Sequence, residues 1–228
     1  MNYAYVDIAK MIDHSLLNPS LTVEQLEAGC QLALEYDTAS VCILPYYLKR
    51  CAEILRGSNV CASTTIGFPH GCHTTAVKLA EAKQALADGS EELDMVVNIS
   101  AVLSENWNYV REDIRVVTDA VHQAGQKIKI IFENCYLNDK QKITLCGICG
   151  ELRCDWVKTS TGYGTGGAII EDLTLMRKYS PDYVQVKAAG GIRDFDTLLK
   201  VRAIGVSRCG ATRTKEILEE CKRRLARK

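Results

Sequence analysis

Short apolar segments rich in β-branched residues alternate with longer stretches of helical periodicity along this whole chain, and that alternation constrains the fold more than any single motif. Strands are expected at residues 11–14, 39–44, 60–67, 91–98, 127–133, 155–159, 183–188 and 206–209, the first and last carrying the weakest patterns. Between them, Trp107, Val110, Ile114, Val117 and Val121 step by three and four, with Gly125 placed for the left-handed position after a helix. Thr22-Val23-Glu24-Gln25 has the pattern of a capping box. Residues 76–87, closed by Gly89, read as a further helix, as does the run from Asp194 through Leu198, Leu199 and Val201. Eight β-then-α units in 228 residues predict an α/β fold, a (β/α)₈ TIM barrel forming one domain over residues 1–228. The alternative is an open doubly wound sheet.

Strand parity sharpens the expectation, because successive side chains point to opposite faces. Leu93, Met95 and Val97 share one face of their strand, while Glu92, Asp94 and Asn98 share the other. Ile128, Ile130 and Phe132 oppose Lys127, Lys129 and Glu133; Val184 and Val186 oppose Gln185 and Lys187. Apolar faces belong against helices, so the charged faces should point into the barrel, where an unpaired charge is costly. The expected inner cluster is Asp94, Lys129, Glu133, Lys158 and Lys187, and strand carboxyl ends are where barrels carry active sites.

Composition excludes several functions. The formal net charge is zero, which gives no general footprint for nucleic acid or an anionic membrane. No apolar stretch reaches the length of a membrane span, and Met1 to Asp7 lacks a signal-peptide pattern, so a cytoplasmic protein is expected. Eleven cysteines scattered through helices and strands read as reduced thiols. Cys146-Gly147-Ile148-Cys149 has redox or metal spacing, yet Ile143, Cys146, Cys149 and Gly150 fall on one helix face, where cysteine acts as a small hydrophobe. His70-Gly71-Cys72-His73 offers crowded ligands without a distant fourth. Neither metal nor cofactor is expected.

Lys158 ends the apolar run Trp156-Val157 and is followed by Thr159-Ser160-Thr161-Gly162. A lysine desolvated there releases its proton more readily, and the neutral amine can form a Schiff base with a carbonyl. A second ammonium nearby, that of Lys187, would lower the pKa of its neighbour further. Spacing alone leaves open which lysine is the nucleophile. Ala188-Ala189-Gly190-Gly191-Ile192-Arg193-Asp194 and Cys209-Gly210-Ala211-Thr212-Arg213-Thr214 leave the last two strands through glycine turns, where barrels often bind phosphate on exposed amides.

Six segments in order make the chain recognisable: Ile12-Asp13-His14-Ser15-Leu16-Leu17, Ser40-Val41-Cys42-Ile43-Leu44-Pro45, Ile66-Gly67-Phe68-Pro69-His70-Gly71, Glu92-Leu93-Asp94-Met95-Val96-Val97-Asn98, Lys158-Thr159-Ser160-Thr161-Gly162 and Lys187-Ala188-Ala189-Gly190-Gly191-Ile192-Arg193. Along nearly its whole length it resembles the deoxyribose-phosphate aldolase family. The resemblance implies a metal-free class I aldolase that reversibly cleaves 2-deoxy-D-ribose 5-phosphate to acetaldehyde and D-glyceraldehyde 3-phosphate. It implies Lys158 as Schiff-base nucleophile, Asp94 and Lys187 as proton relay, and Asp13 orienting Lys187. Cys42 would lie beside the substrate, with Thr161, Gly190, Gly191 and Gly210 in the sugar-phosphate pocket. Lys129 and Glu133 match a family Lys-x-x-x-Glu strand and are expected to support the inner network. Where the family commonly carries two small hydroxyl residues, this chain has Thr212-Arg213, and Arg213 is expected to give the phosphate a charge-assisted partner. A homodimer or higher homo-oligomer is the default expectation.

Overall fold

The computed structural model describes residues 3–227; Met1, Asn2 and Lys228 lie outside the described residues, including the first two positions of the leader reading. Eight parallel strands close into a barrel in chain order. They are β1 (Ile12–Leu16), β2 (Ser40–Ile43), β3 (Cys61–Ile66), β4 (Glu92–Val96), β5 (Lys127–Ile131), β6 (Trp156–Lys158), β7 (Gln185–Ala189) and β8 (Arg208–Ala211). The helices are α1 (Tyr5–Ala9), α2 (Val23–Glu35), α3 (Leu48–Leu55), α4 (Thr75–Ala87), α5 (Ile99–Leu103), α6 (Trp107–Gln123), α7 (Asp139–Glu151), α8 (Ile170–Tyr179), α9 (Phe195–Ala203) and α10 (Thr214–Leu225). The closed barrel replaces the open-sheet alternative, because β8 pairs back onto β1 through Ile12 with Cys209 and Asp13 with Gly210.

Local chemistry sets the connections. Thr22 and Gln25 cap each other's backbone at the start of α2, and Asp194 accepts from the Thr197 amide at the start of α9. Three helices end alike, with a glycine of positive φ (Gly89, Gly125 and Gly205) and the next residue's amide reaching back to close the last turn. In α9 this closure uses Val206, whose amide bonds to the Val201 carbonyl. Residues 206–207 are therefore helix exit, and the last strand begins at Arg208 rather than Val206. β1 likewise runs two residues past His14, to Leu16, because Ser15 and Leu16 pair with Cys42 and Ile43 of β2.

The main hydrophobic layer lies between strands and helices. Leu93, Met95, Val97, Ile128, Ile130, Phe132, Val184 and Val186 are all fully buried there. Each such side chain contributes about 1.5–3 kcal/mol of transfer free energy, which holds the opposite, charged faces inward. Asp94, Lys129 and Lys187 accordingly point into the barrel, buried to within 1%. Alternation stops where β5 stops. Lys127 is exposed at the barrel floor, and Glu133 lies beyond the strand with φ 57°, in the left-handed region. That turn carries Glu133 away from the inner cluster and corrects the expectation that it joins Lys129 there.

Candidate active site

Six strands supply a cluster of charges inside the barrel. Asp94 of β4 stands at its centre: Oδ2 accepts from Lys158 Nζ of β6 at 2.7 Å and from Lys187 Nζ of β7 at 2.7 Å, while Oδ1 accepts from Lys129 Nζ of β5 at 2.9 Å. Asp13 of β1 lies 2.5 Å from Lys187 Nζ and accepts from Arg208 Nε of β8 at 2.7 Å. Ser40 donates to the same Asp13 oxygen as Arg208, at 2.8 Å. One layer lower, Glu92 accepts from Lys129 at 2.6 Å and from Arg208. The Trp156 ring seals this layer, with Lys129 Nζ 5.4 Å and the Arg208 guanidinium carbon 5.2 Å from its centroid.

Four cations (Lys129, Lys158, Lys187, Arg208) thus meet three carboxylates (Asp13, Glu92, Asp94). A buried cluster with one surplus positive charge is relieved most cheaply by deprotonating its least supported cation. Among the described residues Lys129 touches all three carboxylates, and Lys187 and Arg208 two each. Lys158 touches Asp94 alone. The pKa directions agree. Burial pushes Lys158 down, and the Lys187 charge pushes it further, against the opposing pull of Asp94. Burial would also lower Lys187, but Asp13 and Asp94 outweigh it and hold its pKa above the usual lysine range. Burial would raise Asp94; Lys129, Lys158 and Lys187 together keep it well below the usual carboxylate range. Cys42 Sγ, 4.0 Å from Asp94 Oδ2, has its pKa raised by burial and by that carboxylate, so it is a neutral thiol beside the cluster.

Lys158 is also where the cluster meets the cleft. It lies at the floor of an open cleft of about 540 Å³ at the strands' carboxyl ends, lined by Ser15, Leu17, Thr161, Gly162, Tyr163, Gly190, Gly191, Arg193, Gly210 and Thr212 among others. Gly190 and Gly191 have φ of 80° and 92°, and a Cβ on Gly190 would come within 2.8 Å of the Gly167 Cα, so the first of these turns requires glycine twice over. Thr161 is fixed by Glu133, whose carboxylate accepts from its amide at 3.2 Å and from its hydroxyl.

The structure therefore brings together Lys158, Asp94, Lys187, Asp13 and Cys42, and places Thr161, Gly190, Gly191, Gly210 and Thr212 around the cleft above them. Arg213 stands apart. It is exposed ahead of α10 and does not line the cleft; the arginine that does is Arg193. Sequence reasoning missed Arg208, although an arginine in phase with the inward Gly210 was the available signal. It also left Glu92 out of the cluster despite naming it on Asp94's face. Among the described residues no three His, Cys, Asp or Glu side chains are grouped to hold a metal. Cys146 and Cys149 are packed in the core on the buried face of α7, and His73 faces Glu81 at 3.8 Å.

Fold and site together define a (β/α)₈-barrel enzyme with a lysine–carboxylate centre at the mouth of the barrel. A model of the DeoC/LacD family aldolases matches residues 8–212. The chain is 66% identical over 224 residues to a deoxyribose-phosphate aldolase of Rhodopirellula baltica, covering 98% of this chain and 93% of the relative. It is 44% identical to one of Thermococcus gammatolerans, over 94% of this chain and 96% of that one. A tetrameric deoxyribose phosphate aldolase structure from Aeropyrum pernix superposes with a TM-score of 0.88 at 28% identity, covering 96% of this chain and 92% of the other. The chain belongs to the DeoC/LacD family of aldolases, and it is an aldolase.

Proposed function

We propose that the chain is a class I aldolase that reversibly cleaves 2-deoxy-D-ribose 5-phosphate to acetaldehyde and D-glyceraldehyde 3-phosphate, with Lys158 as the Schiff-base nucleophile. The observation that carries this reading is the surplus cation: of the four cations in the cluster, Lys158 has the least anionic support and is the one that opens into the cleft. Neutral Lys158 adds to the sugar's aldehyde carbon. Asp94 Oδ2, shared between the two lysine nitrogens, relays the proton shed by the Lys158 nitrogen to the carbinolamine oxygen, and with one further proton from water in the open cleft the hydroxyl leaves as water. The resulting iminium restores the surplus positive charge. Breaking the bond between the second and third carbons sends its electron pair toward that iminium and yields a neutral enamine, so the charge imbalance favours cleavage. The third carbon departs as the aldehyde of glyceraldehyde 3-phosphate as its hydroxyl proton passes to water in the open cleft. Lys187, held protonated, is placed to return a proton to the enamine carbon, and hydrolysis of the new imine frees acetaldehyde and Lys158.

The turns of Gly190–Gly191 and Gly210–Thr212, with Arg193, are suited to the phosphate. The names of the relatives support the substrate, and that chemistry fits a catabolic role in deoxyribonucleoside breakdown in the cytoplasm. No helix among the described residues is long and apolar enough to cross a membrane. The tetrameric Aeropyrum neighbour supports a homo-oligomer. Treatment with deoxyribose 5-phosphate and borohydride should fix a reduced adduct on Lys158, located by peptide mass. Lys158→Arg should give neither adduct nor turnover, because guanidinium stays protonated and forms no imine. An adduct on another lysine, or substantial turnover by the arginine variant, would overturn the assignment.

A further inference from the structure

Beside the cleft lies a second cavity of about 400 Å³ at the same end of the barrel, walled largely by apolar side chains including Pro69, Ile99, Leu103 and Tyr136. The two cavities share two residues, Thr161 and Tyr163. Tyr163 has the larger side chain of the two, and it is fastened from several sides. Its hydroxyl donates to the Leu17 carbonyl across the cleft mouth at 2.5 Å, and its ring meets Phe68 edge-on at 5.5 Å. Its amide donates to Thr161 Oγ1 at 3.0 Å, and Thr161 is in turn held by Glu133. The chain on either side is equally constrained. Gly162 has φ 90°, and a Cβ on Gly164 would fall 2.8 Å from Cys135 Sγ and 3.0 Å from Glu133 Cδ. A ring 48% exposed at a cleft mouth, yet pinned by the loops that carry Leu17 and Phe68, stands as a fixed wall.

We propose that Tyr163 is a specificity-determining residue that sets the size of acceptor aldehyde this aldolase adds to its enamine, by closing the cleft off from the adjoining apolar cavity. The inference rests on the proposed Schiff-base cycle in the synthetic direction. There the enamine carbon bonds to the acceptor's carbonyl carbon, the carbonyl oxygen takes a proton, and water releases the 3-hydroxyaldehyde from Lys158. A phosphorylated three-carbon acceptor extends toward the Gly190–Gly191 and Thr212 turns. An unphosphorylated acceptor bearing an alkyl chain or aromatic ring has no polar partner there, and the apolar surface that would receive it lies behind the Tyr163 ring. Glu133 is a positioning residue in this scheme, acting on the wall through Thr161.

The test compares wild type with Tyr163→Ala, Tyr163→Leu and Tyr163→Phe in additions of acetaldehyde to phenylacetaldehyde and to glyceraldehyde 3-phosphate. The readout is the ratio of kcat/KM for the two acceptors. Opening the wall should raise that ratio about tenfold or more in the alanine variant, with leucine intermediate, a size effect in the range that a few carbons exert on a pocket. Phenylalanine keeps the ring and should leave the ratio within about twofold of wild type. A ratio unchanged or lowered in both the alanine and leucine variants overturns the proposal; leucine, which keeps apolar packing, guards against loss of fold in alanine. Wild type is first assayed for cleavage of deoxyribose 5-phosphate. Failure there would sink the proposed substrate, while the size effect stays readable by comparing phenylacetaldehyde with propanal.

Discussion

Replacing Lys187 by methionine removes one charge from the cluster at nearly constant volume, and the consequence for Lys158 can be worked out. Both lysine nitrogens lie 2.7 Å from the same Asp94 oxygen, so they are separated by no more than about 5.4 Å. At about 5 Å and an effective dielectric of about 20, two unit charges repel by about 3 kcal/mol. Lys187 therefore favours the neutral form of Lys158, and its removal leaves three cations for three carboxylates, with no surplus to relieve. The sign follows: without Lys187, Lys158 holds its proton to higher pH. About 3 kcal/mol corresponds to roughly a hundredfold smaller neutral fraction at neutral pH. Turnover would confound this effect with proton relay, so the assay is the rate of acetaldehyde trapping on Lys158 by cyanoborohydride, followed against pH. Lys187→Met should slow trapping about a hundredfold near pH 7 and recover toward alkaline pH. Lys187→Arg, which keeps the charge, should trap with a pH profile close to wild type. An unchanged profile in the methionine variant, or one moved toward acid, would refute the charge-surplus reasoning.

The remaining predictions concern other parts of the structure. Arg208→Leu strips Asp13 and Glu92 of a shared buried partner and should destabilise the fold by about 3–5 kcal/mol, measured by urea unfolding. His14 is pushed down to about 4 by burial, its Nδ1 2.8 Å from Thr214 Oγ1. The unfolded chain binds that proton more readily, so stability should fall by about 3 kcal/mol as pH drops from about 6.5 to below 4, a slope that His14→Asn should flatten. Arg193→Ala should raise KM for the phosphorylated sugar far more than for unphosphorylated deoxyribose. Arg213→Ala should do little to either, since only Arg193 lines the cleft.

Much of this was legible in the sequence, for reasons particular residues make plain. The parity of Leu93, Met95 and Val97 against Asp94 holds because helices cover the outer face of every strand, so Asp94, Lys129 and Lys187 had only the barrel interior left to occupy. Gly125 and Gly89 end their helices where expected because a left-handed residue there is a local requirement. The edges of β1 and β8 were harder to read. β1 runs on to Leu16 because Ser15 and Leu16 pair with β2, and β8 starts late because the Val206 amide closes α9, and neither event shows as a local apolar pattern. Glu133 deceived for a related reason: alternation extrapolates a strand, whereas the left-handed turn that ends it leaves only a weak trace in sequence. Arg193 and Arg213 occupy comparable places after glycine turns, and only the course of each loop decides which one faces the cleft.

The cluster that binds these lysines and carboxylates has a consequence for assembly of the barrel as well. Its seven charged side chains come from six of the eight strands. A slip of one residue in any of those strands would turn its charge out of the interior and into the apolar layer beneath the helices, leaving its former partners unmatched. Misregistered closures are therefore penalised at the same few atoms that would handle the substrate. The charge cluster acts as a proofreader of strand order and phase, so the ion pairs that gather at Asp94 at once specify a single way of closing the barrel.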